Sequence, residues 1–390
     1  MHRLILHSES SHVAGGMREK RCTLERLNLA GTSSRDRLYF RFPEQIEATA
    51  DHDMENFTLA AVMLAMREGR ALEIRGEVTD TLLANLTEYM HAWHCWLPRD
   101  YFSVEIEAEL IRHEYLPGVR NEAAICAYSG GMDASAMVWT HVRKKRGWQS
   151  RKLALAVIVH GMDIPLEDKD VFDRYHQWAN QTLSSIGLPL IPLATNLRRV
   201  IGVPWLHLFG AALAASLMNF KPYGSCGLIA SNEPYNALMF PLGSSPLTDH
   251  LFSSRDLNII HDGSAFSRVD KARQISDWPA GLATLRVCWE GQEKWKNCGV
   301  CEKCMRTKFN FLAAGHDPPS SLGSKPCLWD LLGLRIRSRV LINEWHQIQR
   351  VARENGIQSP LFTAMSYVLF RERIRTFFRD LERRIRRIRK

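Results

Sequence analysis

The sequence predicts an α/β protein whose centre is a doubly wound parallel sheet. Strand, loop and helix patterns alternate from about residue 122 onward, which is typical of this fold class. The strand segments "AAICAY" and "KLALAVIVHGMD" are almost continuously apolar, as parallel strands buried on both faces are. The chain has 390 residues, of which 45% are hydrophobic, and this is enough for two or three packed domains.

Residues 1–120 are predicted to form a small α+β N-terminal domain. The alternating segment Arg37–Phe42 predicts a strand, and the apolar spacing in Phe57–Gly69 predicts a helix that a glycine ends. Thr79 is expected to cap a second helix, and Tyr101–Leu110 to form a half-buried strand. We recognise no catalytic constellation here, so the function is expected to lie further along the chain.

Residues 121–325 carry the predicted parallel sheet. A helix is expected from Ala134 to the basic turn "RKKRG", between the first two strands. Residues 233–262 carry three prolines and few periodic positions, which predicts a loop-rich segment. The other predicted elements are helices near Asp170–Ile186 and Leu206–Met218, and strands at Leu188–Thr195 and Cys226–Asn232.

Residues 326–390 are predicted to be helical and basic. The formal net charge of the chain is +9, and from Arg371 to Lys390 ten Lys or Arg residues stand against three acids. The rest of the chain is close to neutral, so its high pI does not by itself indicate nucleic-acid binding. We favour an amphipathic helix docked by its apolar side; a surface for nucleic acid, anionic lipid or an acidic partner is the alternative.

The sequence favours a cytoplasmic location. No apolar run reaches the roughly 18 residues that a membrane span needs, and "MHRLILHSESSH" has too short an apolar core for a signal peptide. Four of the nine cysteines crowd into seventeen residues. In a reducing compartment such crowding indicates metal binding more often than disulfides.

The four crowded cysteines predict a closed structural zinc site. They are spaced C-x9-C-x2-C-x2-C, and two C-x2-C steps turn the backbone tightly enough to present three thiolates. Gly299 permits the sharp turn, and the first cysteine is expected to come from a preceding strand. An iron–sulfur cluster and four unligated thiols are the alternatives. The ligands are Cys288, Cys298, Cys301 and Cys304.

The loop Ser129-Gly130-Gly131 follows the first predicted strand of the sheet and precedes a helix. Ligands of open α/β sheets bind at the carboxyl ends of strands, where helix N-termini present unpaired N–H groups. Two glycines and a hydroxyl at that place favour an anion such as phosphate. The loop is neither a Walker loop nor a GxGxxG loop. On pattern alone, a simple tight turn explains it about as well.

The segment "YSGGMDAS" closely resembles the SGGxDS signature of PP-loop ATP pyrophosphatases, which have an adenine nucleotide alpha hydrolase-like fold. GMP synthetase, asparagine synthetase and NAD synthetase belong to this group. The resemblance implies that the loop binds the pyrophosphate of ATP and that Asp133 helps to hold Mg²⁺. Ala134 departs from the signature, because a serine usually follows the aspartate. The implied nucleotide-binding residues of the loop are Ser129, Gly130, Gly131, Met132, Asp133 and Ser135.

A PP-loop followed about 155 residues later by the four cysteines resembles the 7-cyano-7-deazaguanine synthase (QueC) family over residues 122–315. The extra segments before and after resemble the enlarged QueC-like proteins of bacterial anti-phage islands. The family places adenosine near His160 and Asp163, although ordinary polar loop residues are an equal alternative for these two. Asn196 and Arg198 are the nearest counterparts of its substrate or phosphate contacts. Arg268 and Lys271 lie one turn apart at a helix start, which suits phosphate or carboxylate capture, although a solvated helix face explains them equally well.

The resemblance implies an ATP-dependent, AMP-forming ligase. It would adenylate a carboxylate, such as that of 7-carboxy-7-deazaguanine, for attack by ammonia or by a protein amine. Asp133 and Ser129 are the catalytic residues that the loop resemblance implies, and Lys271 and Arg268 are added as catalytic residues because of their position at a helix start. A protein substrate or partner is therefore expected. The alternatives are a PP-loop tRNA thiolase, in which cysteines are catalytic and the basic tail holds tRNA, and a non-catalytic ATP-binding scaffold subunit, which Ala134 favours.

Overall fold

Ten strands form one mostly parallel sheet in the computed structural model, which describes residues 2–29, 31–115, 122–336 and 339–388. The strand order is β10-β9-β6-β7-β8-β3-β2-β1-β4-β5. The strands are β1 (Arg3–Ala14), β2 (Met17–Leu27), β3 (Ser33–Pro43), β4 (Ala71–Thr79), β5 (Ile106–Arg112), β6 (Ala124–Ala127), β7 (Leu153–His160), β8 (Leu190–Thr195), β9 (Cys226–Ala230) and β10 (Asn258–Asp262).

Twelve helices occur within the same described residues, so the protein belongs to the α/β class. They are α1 (Glu55–Glu68), α2 (Asp80–Trp96), α3 (Met132–Val142), α4 (Lys169–Ser184), α5 (Leu197–Ile201), α6 (Trp205–Met218), α7 (Arg268–Ile275), α8 (Pro279–Ala283), α9 (Glu302–Ala313), α10 (Leu328–Gly333), α11 (Arg339–Glu354) and α12 (Pro360–Ile388). None of these helices combines the length and the apolar content that a bilayer crossing requires.

The chain divides into two compact units. The first comprises Met1–Ser129 and Met137–Ala265, and the second comprises Gly130–Ala136 and Phe266–Lys390. The boundary that the sequence predicted near residue 120 therefore falls within the first unit. The two units are described separately below.

The five strands β10, β9, β6, β7 and β8 of the first unit pair in parallel. The chain builds β6, β7 and β8 outward in one direction and then adds β9 and β10 on the other side of β6. Such a reversal creates a topological switch point at the carboxyl ends of β6 and β9. The sequence predicted four of these strands, whereas β10 lies in the segment predicted to be loop-rich.

The sheet continues from β8 into the N-terminal strands. Strand β3 pairs antiparallel with β8 through Phe40 opposite Thr195 and Arg41 opposite Ala194. This pairing covers the edge of β8, which would otherwise expose unpaired backbone groups. Residues on both sides of the predicted boundary consequently share one sheet, a long-range pairing that local sequence patterns do not reveal.

The β1–β2 hairpin is an element that the sequence reasoning missed. Gly15 and Gly16 form its turn with φ angles of 60° and 74°. Both angles lie in the left-handed region that a two-residue hairpin turn of this type requires. The Gly-Gly pair between two alternating segments was the available signal.

Two lysines of the first unit are buried: Lys20 on β2, and Lys221. Helix α1 is buried along Glu55–Met66, including its charged first residue. Lys221 Nζ lies 2.7 Å from Asp53 Oδ2 and also contacts the Glu55 carboxylate. Burial lowers the pKa of Lys221, but the two acids outweigh this effect and raise it. Lys20 Nζ instead donates to Thr49 Oγ1 at 2.7 Å and to the Ala50 carbonyl at 3.0 Å.

We expect the stability of the protein to rise with pH through the titration of Lys20. Burial lowers the pKa of Lys20 from 10.5 to about 8, against the weaker attraction of Asp53. Between these values the unfolded chain binds a proton that the folded chain does not, so raising the pH favours folding. Relative to Lys20→Met, the free energy of unfolding should increase by roughly 2–3 kcal/mol from about pH 7 to about pH 10. Urea unfolding of both proteins at each pH measures the difference. The same change in the free energy of unfolding with pH in both proteins would contradict the prediction.

The second unit has its own helical core. Phe309 of α9 packs edge-to-face against Trp345 of α11, with ring centroids 5.3 Å apart, and against Phe362 of α12. Helix α12 buries Met365, Val368 and Leu369 in this core. Ile374 and Phe378, two apolar residues further along α12, are exposed.

Candidate functional site

Strand β6 leads at its carboxyl end into the predicted phosphate loop. Gly130 has φ = 64°, a left-handed conformation that favours glycine. Ser129 is exposed, Gly130 is buried and Gly131 is half-buried. In the first unit, the Tyr175 hydroxyl donates to the Ser129 carbonyl at 2.6 Å. In the second unit, the Gly130 carbonyl accepts from the Arg286 backbone N–H at 3.0 Å.

Helix α3 begins directly after the loop. The first amides of a helix have no carbonyl partner within the helix, so this end carries partial positive charge. Met132 and Ala134 are buried, whereas Asp133 is partly exposed. Ser135 is fully buried, and its Oγ has no hydrogen-bond partner among the described residues. Asp133 is therefore the side chain of this turn that is open to a ligand.

Asp133 meets two cations from helix α7 in the second unit. Lys271 Nζ donates to Asp133 Oδ1 at 2.8 Å, and an Arg268 guanidinium nitrogen lies 3.7 Å from Oδ2. Ser267 and Asp270 form a capping box that fixes the start of α7 and hence both side chains. Burial acts to raise the pKa of Asp133, but Lys271 and then Arg268 outweigh it and hold the pKa below its usual value.

The sequence did not predict the network of ion pairs that continues from Arg268, a partner of Asp133. Arg268 also donates to Glu344 at 2.6 Å, and Glu344 accepts from Arg306 as well. Arg306 donates to Glu302 at 2.9 Å, and the same Glu302 oxygen accepts from the Trp345 indole at 2.8 Å. The sequence analysis missed the two glutamates because they come from α9 and α11, far from the loop in sequence. Only the position of Glu302 beside Cys301 was a local signal.

The charges around Asp133 suit an anionic ligand that arrives with a divalent cation. Mg²⁺ in nucleotide sites is commonly held by one or two carboxylates together with phosphate oxygens and water, and Asp133 provides one carboxylate. Lys271 and Arg268 are the donor types that bind phosphate. The donor set thus fits a Mg-bound polyphosphate, provided that Lys271 moves from Asp133 to the phosphates when the ligand binds.

His160 and Asp163 lie at the end of β7 in the first unit. His160 is buried, stacks on Phe172 with ring centroids 4.3 Å apart, and its Nε2 lies 2.8 Å from the Pro165 carbonyl. Burial lowers the pKa of His160, so its imidazole is neutral near pH 7. Asp163 is exposed. Because a carbonyl oxygen can only accept, the hydrogen bond to Pro165 identifies Nε2 as the protonated nitrogen of His160. The same hydrogen bond holds the loop that carries Asp163.

Asn196 and Arg198 both contact backbone groups. Arg198 donates to the Met162 carbonyl at 2.6 Å, which joins it to the loop after β7, and its guanidinium lies 4.9 Å from the Trp205 ring centroid. Asn196 is buried; its Oδ1 accepts from Tyr39 N–H at 3.1 Å and its Nδ2 donates to the Arg37 carbonyl at 2.7 Å. Asn196 therefore connects β8 with β3, where the sheet passes from its parallel to its antiparallel part.

We expect Asn196→Ala to destabilise the protein by about 1–3 kcal/mol, because it leaves backbone groups of Arg37 and Tyr39 unpaired. Asn196→Asp keeps the acceptor for Tyr39 but places a buried carboxylate oxygen against the Arg37 carbonyl, so it should not restore the lost stability. Urea unfolding measures both changes. An unchanged stability together with weaker nucleotide binding would instead support the ligand contact that the sequence suggested.

The four predicted cysteines come together in the second unit. Their sulfur atoms all lie within 4.8 Å of one another, and Cys298 and Cys304 Sγ are 3.9 Å apart. Cys288 and Cys304 are buried, and Cys298 and Cys301 are partly exposed. These four cysteines can hold a metal ion such as zinc, for which four thiolates are a common closed set. Cys288 precedes the others in an irregular segment rather than in the predicted strand.

Backbone and side-chain contacts hold the cysteines in place. The N–H groups of Cys298 and Cys301 donate to the sulfurs of Cys288 and Cys298 respectively, both at 3.2 Å. Such bonds stabilise thiolate charge. Asn297 Oδ1 accepts from the Val287 and Cys288 amides, at 2.7 and 3.2 Å, which ties the distant first ligand to the other three.

Gly299 is required between the second and third ligands. Its φ is 77°, and a Cβ at this position would lie 2.9 Å from the Leu322 carbonyl oxygen.

Hydrogen bonds from Cys301 and Cys304 lower the pKa of the Cys288 thiol, so the cluster favours at least one thiolate. The turn and the shared charge both suit a bound cation.

Comparison with known proteins gives no match: no protein-family model, no curated protein and no solved structure is significantly similar to this chain. The geometry of the second unit, in which Asp133, Arg268 and Lys271 meet and the four cysteines cluster, is therefore the basis for a functional hypothesis.

Proposed function

We propose that the chain is an ATP-dependent, AMP-forming ligase of the PP-loop type, similar to the QueC family. The observation that carries the proposal is the group formed by Asp133, Lys271 and Arg268 at the first turn of α3, directly after a Ser-Gly-Gly loop. Cations and helix amides at one point favour a polyphosphate. The order of β10, β9, β6, β7 and β8 further supports it, since doubly wound sheets bind ligands at the switch point.

In this proposal a carboxylate oxygen of the substrate attacks the α-phosphorus of ATP. The bond from the α-phosphorus to the bridging oxygen breaks, giving an acyl adenylate and pyrophosphate. Lys271 and Arg268 stabilise the charge on the departing pyrophosphate, and the loop amides position it. Mg²⁺, which Asp133 would hold in part, would supply further neutralisation of that charge. Ammonia or a protein amine then attacks the acyl carbon and releases AMP.

The acid is proposed to be a deazapurine carboxylate such as 7-carboxy-7-deazaguanine. This part rests on the joint resemblance of the loop and the cysteine spacing to the QueC family, and the enlarged chain suggests a role in phage defence with a protein acceptor. The cysteine cluster is proposed to hold zinc and to act structurally, because four thiolates leave no open coordination position.

Release of AMP and pyrophosphate is the decisive measurement. The purified chain is incubated with ATP, Mg²⁺, 7-carboxy-7-deazaguanine and ammonium, and the nucleotides are separated by chromatography. We expect AMP and pyrophosphate in equal amounts, dependent on the acid. ADP and phosphate would contradict the proposal, and binding of ATP without pyrophosphate release would instead support a non-catalytic scaffold. Mass spectrometry of candidate proteins incubated in the same mixture then identifies an amine acceptor.

A further inference from the structure

The loop between α3 and β7 in the first unit is a second charged feature, separate from the phosphate loop. Its sequence, "RKKRGWQSRK", spans residues 143–152 and contains six cations and no acid. The Lys152 carbonyl accepts a hydrogen bond from the Ala124 N–H, so the loop lies where β6 and β7 begin. The basic loop therefore lies at the amino-terminal ends of these strands, whereas Ser129 follows the carboxyl end of β6.

One aromatic side chain, Trp148, lies among these charged residues. Trp148 is fully exposed, and no other large hydrophobic side chain of the described residues is exposed to the same degree. Indole rings are usually largely buried in folded proteins. Its immediate neighbours in sequence, Gly147 and Gln149, are also exposed, and neither has a large apolar side chain. Both faces of the indole are open to a planar ligand.

The loop is held rigidly despite its exposure. The backbone N–H groups of Lys144 and Lys145 donate to carbonyls of the last turn of α3, at 3.0 and 2.8 Å. The Arg151 N–H donates to His141 Nδ1 at 3.0 Å. Arg146 is drawn inward by an ion pair of 2.6 Å with the buried Asp262. These bonds fix the loop before any partner arrives, which reduces the entropy lost on binding.

We propose that residues 143–152 bind single-stranded nucleic acid, with a base stacked on Trp148 and phosphates paired with the surrounding cations. Single-strand binding sites combine a cationic path for the backbone with isolated aromatic rings on which bases stack. An anionic membrane would require a wider apolar surface than one ring. A double helix would offer phosphates to the cations but no unstacked base to Trp148.

Fluorescence anisotropy with labelled oligonucleotides tests the proposal. The full chain is titrated into single-stranded DNA and RNA of about 20 nucleotides, and into a duplex of the same length, at several salt concentrations. We expect tighter binding to either single strand than to the duplex. Trp148→Ala should weaken single-strand binding about 10-fold. Trp329→Ala, which removes another exposed indole, on α10, is the matched control and should bind as the unaltered protein does.

A charge variant gives an independent readout. Lys144→Gln should lower the slope of log affinity against log salt by about one, whereas Lys325→Gln, an exposed lysine elsewhere, should leave it unchanged. Equal binding by the Trp148→Ala variant and the unaltered protein would overturn the proposal. Equal affinity for duplex and single strand would also overturn it, as would Trp148-dependent binding to phosphatidylserine vesicles without binding to oligonucleotides.

Discussion

Lys271→Met is expected to reduce ATP-dependent AMP formation by about 10²–10³-fold, the usual cost of losing one donor that stabilises charge in a transition state. Lys271 is buried, and its Nζ is 2.8 Å from Asp133 Oδ1 at the first turn of α3. Methionine has a similar length and no charge, so the pyrophosphate would lose a cation while the packing of α7 is retained. The rate is measured as pyrophosphate release at saturating ATP.

Arg273→Met is the matched control for this experiment. Arg273 lies on the same helix, is exposed, and pairs with Asp270 one turn away at 3.0 Å. Its loss should leave AMP formation within about twofold, since exposed ion pairs contribute little. If the unaltered protein forms AMP and Lys271→Met is equally active, then Lys271 is not the residue that binds the leaving group. If the unaltered protein forms no AMP, the proposed reaction itself is wrong.

Removal of the metal from the cysteine cluster is expected to destabilise the second unit by several kcal/mol. Binding of zinc to a four-ligand site contributes directly to folding free energy, because the unfolded chain has no preformed site. Cys304 is fully buried and supplies one of the four clustered sulfurs. Cys304→Ser should lower both the zinc content, from about one ion per chain, and the thermal midpoint.

Cys327→Ser provides the control, because Cys327 is exposed and lies outside the cluster. It should retain the zinc and the thermal midpoint of the unaltered protein. Metal analysis by mass spectrometry and thermal unfolding give the two readouts. Iron with visible absorbance would favour the iron–sulfur alternative, and a protein that purifies without metal and does not gain stability from zinc would contradict the site altogether.

The cysteine cluster and the α/β class were predictable because their signals are local. C-x2-C spacing constrains the backbone within a few residues, and Gly299 marks the turn that this spacing needs. Continuous apolar segments indicated the buried strands β6 and β7 in the same way. The Thr79 cap of α2 is likewise confirmed, since Thr79 Oγ1 accepts from the Leu82 N–H at 3.3 Å.

Features that depend on distant pairing were not predictable. Strand β3 could not be assigned to the edge of β8, and Asn196 could not be recognised as the side chain that joins them, because the partners are more than 150 residues apart. The glutamates at positions 302 and 344 were missed for the same reason. In each case the interaction forms only because the fold brings together segments that are far apart in the sequence.

The sequence by itself determined two local groups of residues that are suited to chemistry: a glycine-rich turn with an aspartate, and four crowded thiols. Local backbone geometry and residue type suffice for these, since each is specified within about twenty residues. Only the tertiary structure decided that Lys271 and Arg268 meet Asp133, that Asn196 and His160 are held by neighbouring groups, and that Trp148 is left in solvent. Contact and burial arise when distant segments pack together, and packing is not encoded in any one of them.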